Sequence, residues 1–321
     1  MGTYQQYIAN PPSPIDLDKL RKEQLVRIEK EMNARAVVYA ARISPIPPQF
    51  RTDLLYEDLL PFVDLLDGMS GDRVVVILET PGGSGETARD MVEILHEKFA
   101  HVSFVIPGMA KSAGTIMALG GHEILMGPGS SLGPIDAQLV HDGKQMSADE
   151  LLKGLDRIKE EVAKSGQLSL AYIPFLQRLS PGELEHAINA LDFAREAVAE
   201  WLVKYKFANW TKKKSSGVAV TEEYKRERAT KIAQDLSDQT KWKSHGRSLR
   251  IADLADLGVE VEDYSTRPEL RDAIDRYYAL LRVTFDAGAA YKVMETTTAT
   301  VARIMPPQVL IGPGGHPPGL A

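Results

Sequence analysis

The most regular part of the chain alternates short apolar runs with amphipathic stretches. Residues 73–79, 102–106 and 123–126 are apolar without polar alternation, which is typical of parallel strands buried on both faces. Helical spacing of apolar residues fills the two intervals between them, beginning near residue 86 and after residue 112. Strand, helix, strand, helix, strand with short connections predicts a parallel sheet with right-handed crossovers, and therefore an α/β fold.

The flanking segments predict mainly helices around this sheet. Residues 36–43 form a further apolar run of β character, and the stretch from 283 to 305 resembles a hairpin. We therefore divide the chain into an N-terminal arm and charged helix (residues 1–34), a central α/β domain (35–265), a C-terminal helix and β-hairpin extension (266–304) and a disordered Pro/Gly-rich tail (305–321).

Composition narrows the classes of function that the chain can have. Hydrophobic residues make up 44% and charged residues 26% of the 321 residues, which is ordinary for a globular protein. The net charge of −6 gives no basic surface for nucleic acid, so no nucleic-acid partner is expected. The absence of cysteine excludes thiol nucleophiles and thiolate metal sites. We see no signal peptide and no apolar run long enough to cross a membrane, so we expect a cytoplasmic protein without sequence support for membrane association.

Two small-residue turns follow successive strands and carry the candidate chemistry. Gly82 and Gly83 come after the first buried strand, and Ser112 begins the helix after the second. Because ligands collect at the carboxyl ends of parallel strands, both turns are expected to face one cleft. The backbone amides of Gly83 and Ala113 would then form a two-donor oxyanion hole beside the Ser112 hydroxyl. Taken singly, each turn also fits a purely structural role, Ser112 as a helix N-cap.

Three ordered motifs resemble a known family. LETPGGSGETA (78–88), KSAGTIMALGGHEILMGPGSSLGPIDAQL (111–139) and WKSHGRSLRIADLADLGVEVED (242–263) are similar to the serine dehydrogenase proteinase family. That family belongs to the Clp protease/crotonase superfamily and is related to signal peptide peptidase A. The resemblance covers about residues 36 to 262 and implies a Clp/crotonase-like fold of repeated βαβ turns with outer helices.

The resemblance also implies a catalytic triad. Ser112 takes the position of the nucleophile, and the chain order Ser, Asp, His of that family places Asp136 and His245 in the other two roles. Asp136 follows the third strand near the same cleft edge, and His245 lies in a loop just before a helix. The alternatives are a capping role for Asp136 and a surface position for His245.

The remaining histidines fit the role of base less well. His122 lies about 15 Å of helix away from the nucleophile if the segment is helical throughout. His96 and His101 flank a helix end and are expected at the surface. The others lie in a polar loop, in a charged helix and in the tail, at His141, His186 and His316.

A Ser–Lys dyad is the alternative mechanism that the resemblance leaves open, since relatives of signal peptide peptidase A use a lysine downstream of the serine. Lys144, Lys153, Lys159 and Lys164 lie in the corresponding region. A catalytic lysine must be desolvated to lose its proton near neutral pH, and the charged helix at 149–164 disfavours most of them. Lys111 precedes the serine, so its side chain is expected to point away from the cleft.

The sequence therefore predicts a serine peptidase that cleaves peptide or protein substrates through an acyl-enzyme, with no metal or organic cofactor. Relatives in the superfamily commonly assemble into rings, so a homo-oligomer is expected. Two other classes of function remain open at this point. One is a crotonase-type acyl-CoA enzyme, which uses paired backbone amides for a thioester oxyanion, and the other is a non-catalytic oligomeric scaffold.

Overall fold

The computed structural model describes residues 2–141, 144–213 and 216–306. The strands within these ranges are β1 (Arg35–Ala41), β2 (Arg73–Glu79), β3 (His101–Ile106), β4 (Met109–Ala110), β5 (Glu123–Met126), β6 (Ser131–Leu132), β7 (Gln138–His141), β8 (Lys144–Ser147), β9 (Glu262–Asp263), β10 (Ala290–Thr296) and β11 (Thr300–Ile304). The α-helices are α1 (Thr3–Ala9), α2 (Pro14–Met32), α3 (Leu59–Asp67), α4 (Gly85–Lys98), α5 (Ala113–Leu119), α6 (Ala148–Ser165), α7 (Ile173–Leu176), α8 (Pro181–Trp201), α9 (Glu222–Ser237), α10 (Gln239–Trp242), α11 (Ile251–Leu257) and α12 (Pro268–Ala287). The 3₁₀ segments are Tyr56–Asp58, Leu170–Tyr172 and Tyr264–Thr266, and a π-helical segment, Leu202–Lys206, extends α8.

A seven-stranded sheet in the order β11-β10-β1-β2-β3-β5-β9 organises the molecule. β1, β2, β3, β5 and β9 run parallel, while β10 pairs antiparallel with both β1 and β11 at one edge. The predicted α/β class with a mainly parallel sheet is therefore confirmed. Two short sheets, β4-β6 and β7-β8, lie beyond the strand ends.

Because its strands are apolar on both faces, the sheet has a hydrophobic core on each side. Along β2, Val74, Val76 and Leu78 face a core shared with α3, α4, α5, α8 and α9. Val75 and Ile77 face the opposite core, which α2 and α12 cover. Each fully buried Val, Leu or Ile side chain stabilises the fold by about 1.5–3 kcal/mol relative to an exposed one, so both helical layers are needed.

The strand ends place the two small-residue turns next to each other. β2 and β3 are paired neighbours, and the pairing continues past them, because the Lys111 N–H donates to the Thr80 carbonyl at 3.1 Å. In return, the Thr80 N–H donates to the Met109 carbonyl at 3.0 Å. The segments that lead to Gly83 and to Ser112 therefore run side by side at the carboxyl edge of the sheet.

The ends of the chain differ in detail from the prediction. Residues 3–9, expected as an irregular arm, form α1, which lies along α12 with the Tyr4 hydroxyl donating to Asp286 Oδ2 at 2.9 Å. α12 continues to Ala287, so the predicted hairpin begins only at Ala290. In both places tertiary packing against α12 decides the conformation, which local composition cannot indicate. Residues 307–321 of the predicted tail, including His316, lie outside the described residues.

The C-terminal segment joins the main sheet rather than standing apart from it. β10 pairs with β1 along most of its length, and α12 packs on α2 across the second core. The division of the chain at residues 34/35 and 265/266 stays a prediction, and the structure has strands from both sides of residue 265 in one sheet.

Candidate active site

The turn after β2 has a backbone that only glycine adopts readily. Gly82 and Gly83 have φ angles of +114° and +144°. The Leu54 N–H donates to the Gly82 carbonyl at 2.7 Å, and the Ser84 N–H donates to the Leu54 carbonyl at 2.9 Å. A Cβ on Gly83 would overlap the backbone N and O atoms of Leu54. The close approach of these two segments therefore requires glycine at position 83.

Ser112 lies in a strained turn. Its φ of +50° and ψ of −116° are unusual for a non-glycine residue and differ from the left-handed helical values of Asn33. The Gly114 N–H closes the turn by donating to the Lys111 carbonyl at 2.8 Å. Ser112 occupies the N-cap position of α5, but its side chain makes no cap hydrogen bond to that helix, so the alternative role as a side-chain cap is not supported. Strain of this kind persists where the surroundings enforce it and is concentrated at functional sites.

Two backbone amides are available beside this serine. The N–H groups of Gly83 and Ala113 have no hydrogen-bond acceptor within the described part of the chain. Ala113 is the first residue of α5, a position whose N–H has no acceptor within the helix. The two turns approach each other closely at Gly82, where an added methyl group would lie 2.9 Å from Ser112 Cβ. The two amides therefore stay the candidates for the oxyanion hole that the sequence predicts.

Asp136 and His245 form a hydrogen-bonded pair, although 108 residues of chain separate them. His245 Nδ1 lies 2.6 Å from Asp136 Oδ1. The Asp136 side chain is fully buried, whereas that of His245 is 33% exposed. A carboxylate acceptor at this distance places the imidazole proton on Nδ1 and leaves Nε2 free to accept a proton. The structure thus brings together two of the three predicted triad residues.

Gln138 completes this pair and was not identified from the sequence. Its Nε2 donates to Asp136 Oδ2 at 2.6 Å and lies 3.2 Å from His245 Nδ1. With the His245 proton directed at Asp136, the Gln138 amide holds the second carboxylate oxygen and fixes the plane of the carboxyl group. The position of Gln138 two residues after Asp136, on the neighbouring strand β7, is the only signal for this role in the sequence.

The serine and the Asp–His pair lie on different segments that meet beside the Ser112 turn. Leu132, four residues before Asp136, exchanges both backbone hydrogen bonds with Leu249, four residues after His245, each at 3.0 Å. β6 contains Leu132 and pairs with β4, whose last residue, Ala110, lies two residues before Ser112. Among the described side-chain hydrogen bonds, none joins Ser112 Oγ to His245.

The lysines proposed for a dyad are engaged elsewhere or exposed. The ammonium of Lys153 lies 2.8 Å from Asp149 and 2.5 Å from Asp238. Although burial acts in the opposite direction, hydrogen bonds to these carboxylates raise the pKa of Lys153, which disfavours a role as base. Lys159 is exposed beside Asp156, and Lys164 is exposed at the end of α6. The side chain of Lys144 lies outside the described side chains.

Lys111 points away from the cleft, as predicted, but into the protein rather than into solvent. It is 7% exposed, and its ammonium donates to the Leu132 carbonyl at 2.7 Å, the Arg247 carbonyl at 3.2 Å and Ser248 Oγ at 3.1 Å. Burial, with a smaller effect of the Arg250 charge, lowers the pKa of Lys111 to about 8.

Two further groups near the sheet have displaced pKa values. Glu79, the last residue of β2, is 1% exposed, and burial raises its pKa to about 7. It accepts hydrogen bonds from the Tyr278 hydroxyl at 3.0 Å and the Met109 N–H at 3.1 Å, on the side of the sheet opposite Thr80. His122 is half-buried, and desolvation lowers its pKa to about 4. It stacks on His101, so the expected surface position of His101 is only partly correct.

Comparisons with known proteins agree with the motifs. The model of the ClpP-like SDH-type serine proteinases matches residues 69–174. The membrane-bound protease PH1510 of Pyrococcus horikoshii is 30% identical over 112 residues, which are 34% of this chain and 24% of that protein. The uncharacterized protein MJ1495 of Methanocaldococcus jannaschii is 24% identical over 186 residues, 58% of this chain and 51% of that protein. The membrane protein NfeD1b of Bacillus subtilis is 27% identical over 125 residues, 39% of this chain and 28% of that protein.

Solved structures give a weaker likeness. The 1510-N membrane protease from Pyrococcus horikoshii, specific for a stomatin homolog, superposes with a TM-score of 0.23 at 22% identity, covering 49% of this chain and 70% of that one. A Lys-to-Ala variant of the 1510-N protease in complex with a substrate peptide gives a TM-score of 0.26 at 20% identity, covering 70% and 90%.

The family match and the motifs refer to the same residues. The chain spans about a quarter to a half of the length of the curated relatives named above. None of the described helices is long and apolar enough to cross a membrane. The matched region contains the glycine turn, Ser112 and Asp136, whereas His245 lies beyond it. Residues 69–174 of this chain match the model of the ClpP-like SDH-type serine proteinase family.

Proposed function

We propose that the protein is a serine peptidase that hydrolyses peptide bonds through an acyl-enzyme on Ser112. The observation that carries the proposal is the strained Ser112 turn, with the unpaired amides of Gly83 and Ala113 beside it. A half-buried serine hydroxyl beside two backbone donors is an arrangement that suits acyl transfer. The hydrogen bond between buried Asp136 and partly exposed His245 supplies an oriented imidazole on an adjoining segment.

The proposed reaction assigns one step to each group. His245 Nε2 takes the proton of Ser112 Oγ as the oxygen attacks the substrate carbonyl carbon. The amides of Gly83 and Ala113 donate to the oxyanion that forms, and each such donor contributes about 3–4 kcal/mol of transition-state stabilisation. The imidazolium then protonates the leaving amine. His245 then takes a proton from water as its oxygen attacks the ester carbonyl carbon. The imidazolium returns this proton to Ser112 Oγ as the bond between Oγ and the acyl group breaks and the acid product leaves.

Asp136 stabilises the imidazolium without taking its proton. The carboxylate accepts the Nδ1 proton of His245 and has its second oxygen held by Gln138. The reaction requires that His245 Nε2 and Ser112 Oγ come within hydrogen-bond distance, and such contacts often tighten only when substrate is bound. The partial exposure of His245 leaves its ring room to make that movement.

The test of the proposal is covalent labelling of the full chain with a fluorophosphonate probe, followed by mass spectrometry of the labelled peptide. We expect the label on Ser112 and its complete loss in Ser112→Ala, together with loss of hydrolysis of a fluorescent casein. Ser84→Ala is the matched control, because Ser84 lies in the neighbouring turn and only caps α4. Turnover of an acyl-CoA thioester without labelling would favour a crotonase-type enzyme. Neither reaction in a folded protein would favour a scaffold.

Substitution of the base decides between the triad and the dyad. We expect His245→Ala to lose about as much acylation rate as Ser112→Ala, because triad members act as a unit. Lys144→Ala is expected to retain the parental rate, and Lys153→Ala serves as its control. If Lys144→Ala abolished labelling while His245→Ala did not, the Ser–Lys dyad would replace the triad with Ser112 still the nucleophile.

The proposal also includes the class of substrate, the oligomeric state and the cellular location of the protein. Because the matched relative PH1510 is named as a protease, we expect peptide or protein substrates. The homo-oligomer stays an expectation from the resemblance to the superfamily. The cytoplasmic location expected from the sequence stays a prediction, and two matched relatives are named as membrane proteins. Light scattering of the purified chain and fractionation of cells that express it test these two points.

A further inference from the structure

We infer that Lys111 is a positioning residue, whose buried ammonium holds the segments of Asp136 and His245 against the turn that carries the nucleophile. The inference rests on the proposed serine peptidase function and adds a residue to it. Lys111 is not a group that touches the substrate, because its side chain leaves the cleft.

All three donors of the ammonium find an acceptor. Lys111 Nζ donates to the Leu132 carbonyl, the Arg247 carbonyl and Ser248 Oγ, at 2.7, 3.2 and 3.1 Å. An ammonium group has three N–H donors, so its hydrogen-bonding capacity is fully used. The aliphatic part of the side chain packs on Gly133, where an added methyl group would lie 2.9 Å from Lys111 Cδ.

These acceptors belong to the two segments that carry the other catalytic groups. Leu132 lies four residues before Asp136, and Arg247 lies two residues after His245. Lys111 itself is covalently joined to Ser112, and its carbonyl closes the strained turn. The Lys111 side chain therefore connects the Ser112 segment with the segments of Asp136 and His245. Among the described residues, no hydrogen bond joins Ser112 to His245 directly.

Packing around the Lys111 side chain does not require that the side chain be charged. Its three acceptors are neutral oxygens, and within the described residues no carboxylate forms an ion pair with it. Burying a cation without an opposite charge is unfavourable, and an apolar side chain of similar length would avoid that cost. What the ammonium provides instead is three directed bonds that fix two separate loops, which points to a role in the geometry of the site.

A pH dependence supports this role. Burial, together with the nearby Arg250 charge, lowers the pKa of Lys111 to about 8, so the group is charged at neutral pH and loses a proton above it. Arg250 is the charged side chain that acts on Lys111, and it is itself held by the carbonyls of Pro128 and Ser130. Because the neutral amine has only two donors, one of the three bonds is lost at alkaline pH.

The experiment measures the second-order rate constant for fluorophosphonate labelling of Ser112 in the full chain, between about pH 6.5 and about pH 9.5, a range that spans the pKa of Lys111. We expect Lys111→Met to slow labelling at neutral pH by about tenfold or more, because small displacements of catalytic groups have effects of this size. Lys111→Arg, which keeps the charge, is expected to retain most of the rate and to lose the alkaline decline of the parent. Thermal unfolding of each variant establishes that it is folded.

Each outcome supports or overturns the inference. Labelling of folded Lys111→Met at the parental rate, with the same pH profile, would overturn it and leave the proposed function intact. If Lys111→Met does not fold, the labelling rates of Ser248→Ala and Lys111→Arg test the inference instead. Parental labelling rates in both variants, with an unchanged alkaline decline, would overturn the inference. If the parent protein is not labelled at all and equals Ser112→Ala, the proposed function fails and the inference fails with it.

Discussion

At the scale of single residues, the conformation of Ser112 is the most informative feature. Asn33 and Lys243 also have positive φ angles, but their ψ values of 48° and 3° place them at ordinary left-handed helix ends. The ψ of −116° at Ser112 lies outside that region, so the backbone is strained there without a helix-capping reason. Strained conformations of this kind cost about 1–3 kcal/mol, and the hydrogen bonds around Lys111 and Gly114 maintain this one.

Ser112→Gly is expected to raise the stability of the protein while abolishing hydrolysis. Glycine relieves the strain, and its greater freedom in the unfolded chain removes part of the gain, so we expect about 1 kcal/mol relative to Ser112→Ala. Urea unfolding of the two variants measures the difference, and both lack the nucleophile, so activity does not confound it. A Ser112→Gly protein less stable than Ser112→Ala would show that the turn is not strained.

At the scale of elements, the carboxyl end of β2 combines two different requirements. Glu79 is directed into the core under α12, and Thr80 into the core on the other face. The glycines that follow bring the oxyanion turn against Leu54. Residues 79–83 thus include the buried carboxyl group of Glu79, the backbone pairing of Thr80 and the proposed oxyanion donor at Gly83.

Gly83→Ala is expected to destabilise the protein by more than about 2 kcal/mol, through strain at positive φ and overlap with the Leu54 backbone. Hydrolysis should fall as well, because the turn cannot keep its position. Gly129→Ala is the matched control, since a methyl group there meets no atom within 4 Å. Chemical denaturation measures both. Equal stability of the two variants would contradict the close approach at Gly83.

Glu79 predicts a loss of stability as the pH rises. Its pKa is about 7 in the folded protein and about 4.5 in the unfolded chain. Between these values the folded state binds more protons, so the free energy of unfolding falls as the pH increases from about 4.5 to about 7, by up to about 3 kcal/mol for this group. Glu79→Gln removes the titration and should flatten this part of the profile. An identical slope in parent and variant would contradict the assignment.

At the scale of the whole molecule, the C-terminal hairpin supports the proposed site. Lys292 of β10 donates to the Asp53 carbonyl at 2.7 Å and to buried Asp58 at 2.6 Å. It thereby holds the segment of Leu54, against which the Gly83 turn lies. On the same strand, Glu295 accepts from Arg21 of α2 at 2.9 Å, far along the chain from the catalytic motifs.

Two variants separate these two buried ion pairs. Arg21→Met removes the cation paired with buried Glu295 and should lose about 3–5 kcal/mol of stability. Lys292→Met should lose less, because Arg303 Nε stays 3.2 Å from Asp58 Oδ1. Only Lys292→Met should also slow labelling of Ser112 in the folded protein, because only Lys292 holds the Leu54 segment. Labelling rates measured beside thermal unfolding check this. Equal labelling of the two variants would show that the hairpin does not support the oxyanion turn.

The sequence by itself determined the parallel sheet and the position of the turn that carries the proposed nucleophile. Apolar runs without alternation fix buried strands locally, and β2 and β5 lie at the predicted residues. The Gly82–Gly83 and Ser112 turns follow strand ends, and neighbouring parallel strands bring such ends together whatever the rest of the chain does. The roles of Asp136 and His245 came from the family resemblance, since their separation along the chain carries no local signal.

Only the tertiary structure decided what supports these groups. Gln138 lies two residues after Asp136, but it also lies 3.2 Å from His245 Nδ1 in a distant part of the chain. The three bonds of Lys111 likewise depend on two loops that are distant in sequence. The position of Lys111 directly before Ser112 predicted only that its side chain points away from the cleft. The helix at residues 3–9 and the full length of α12 likewise depend on packing partners. Local propensity acts over a few residues, whereas these contacts join segments that only the completed fold brings within hydrogen-bond distance.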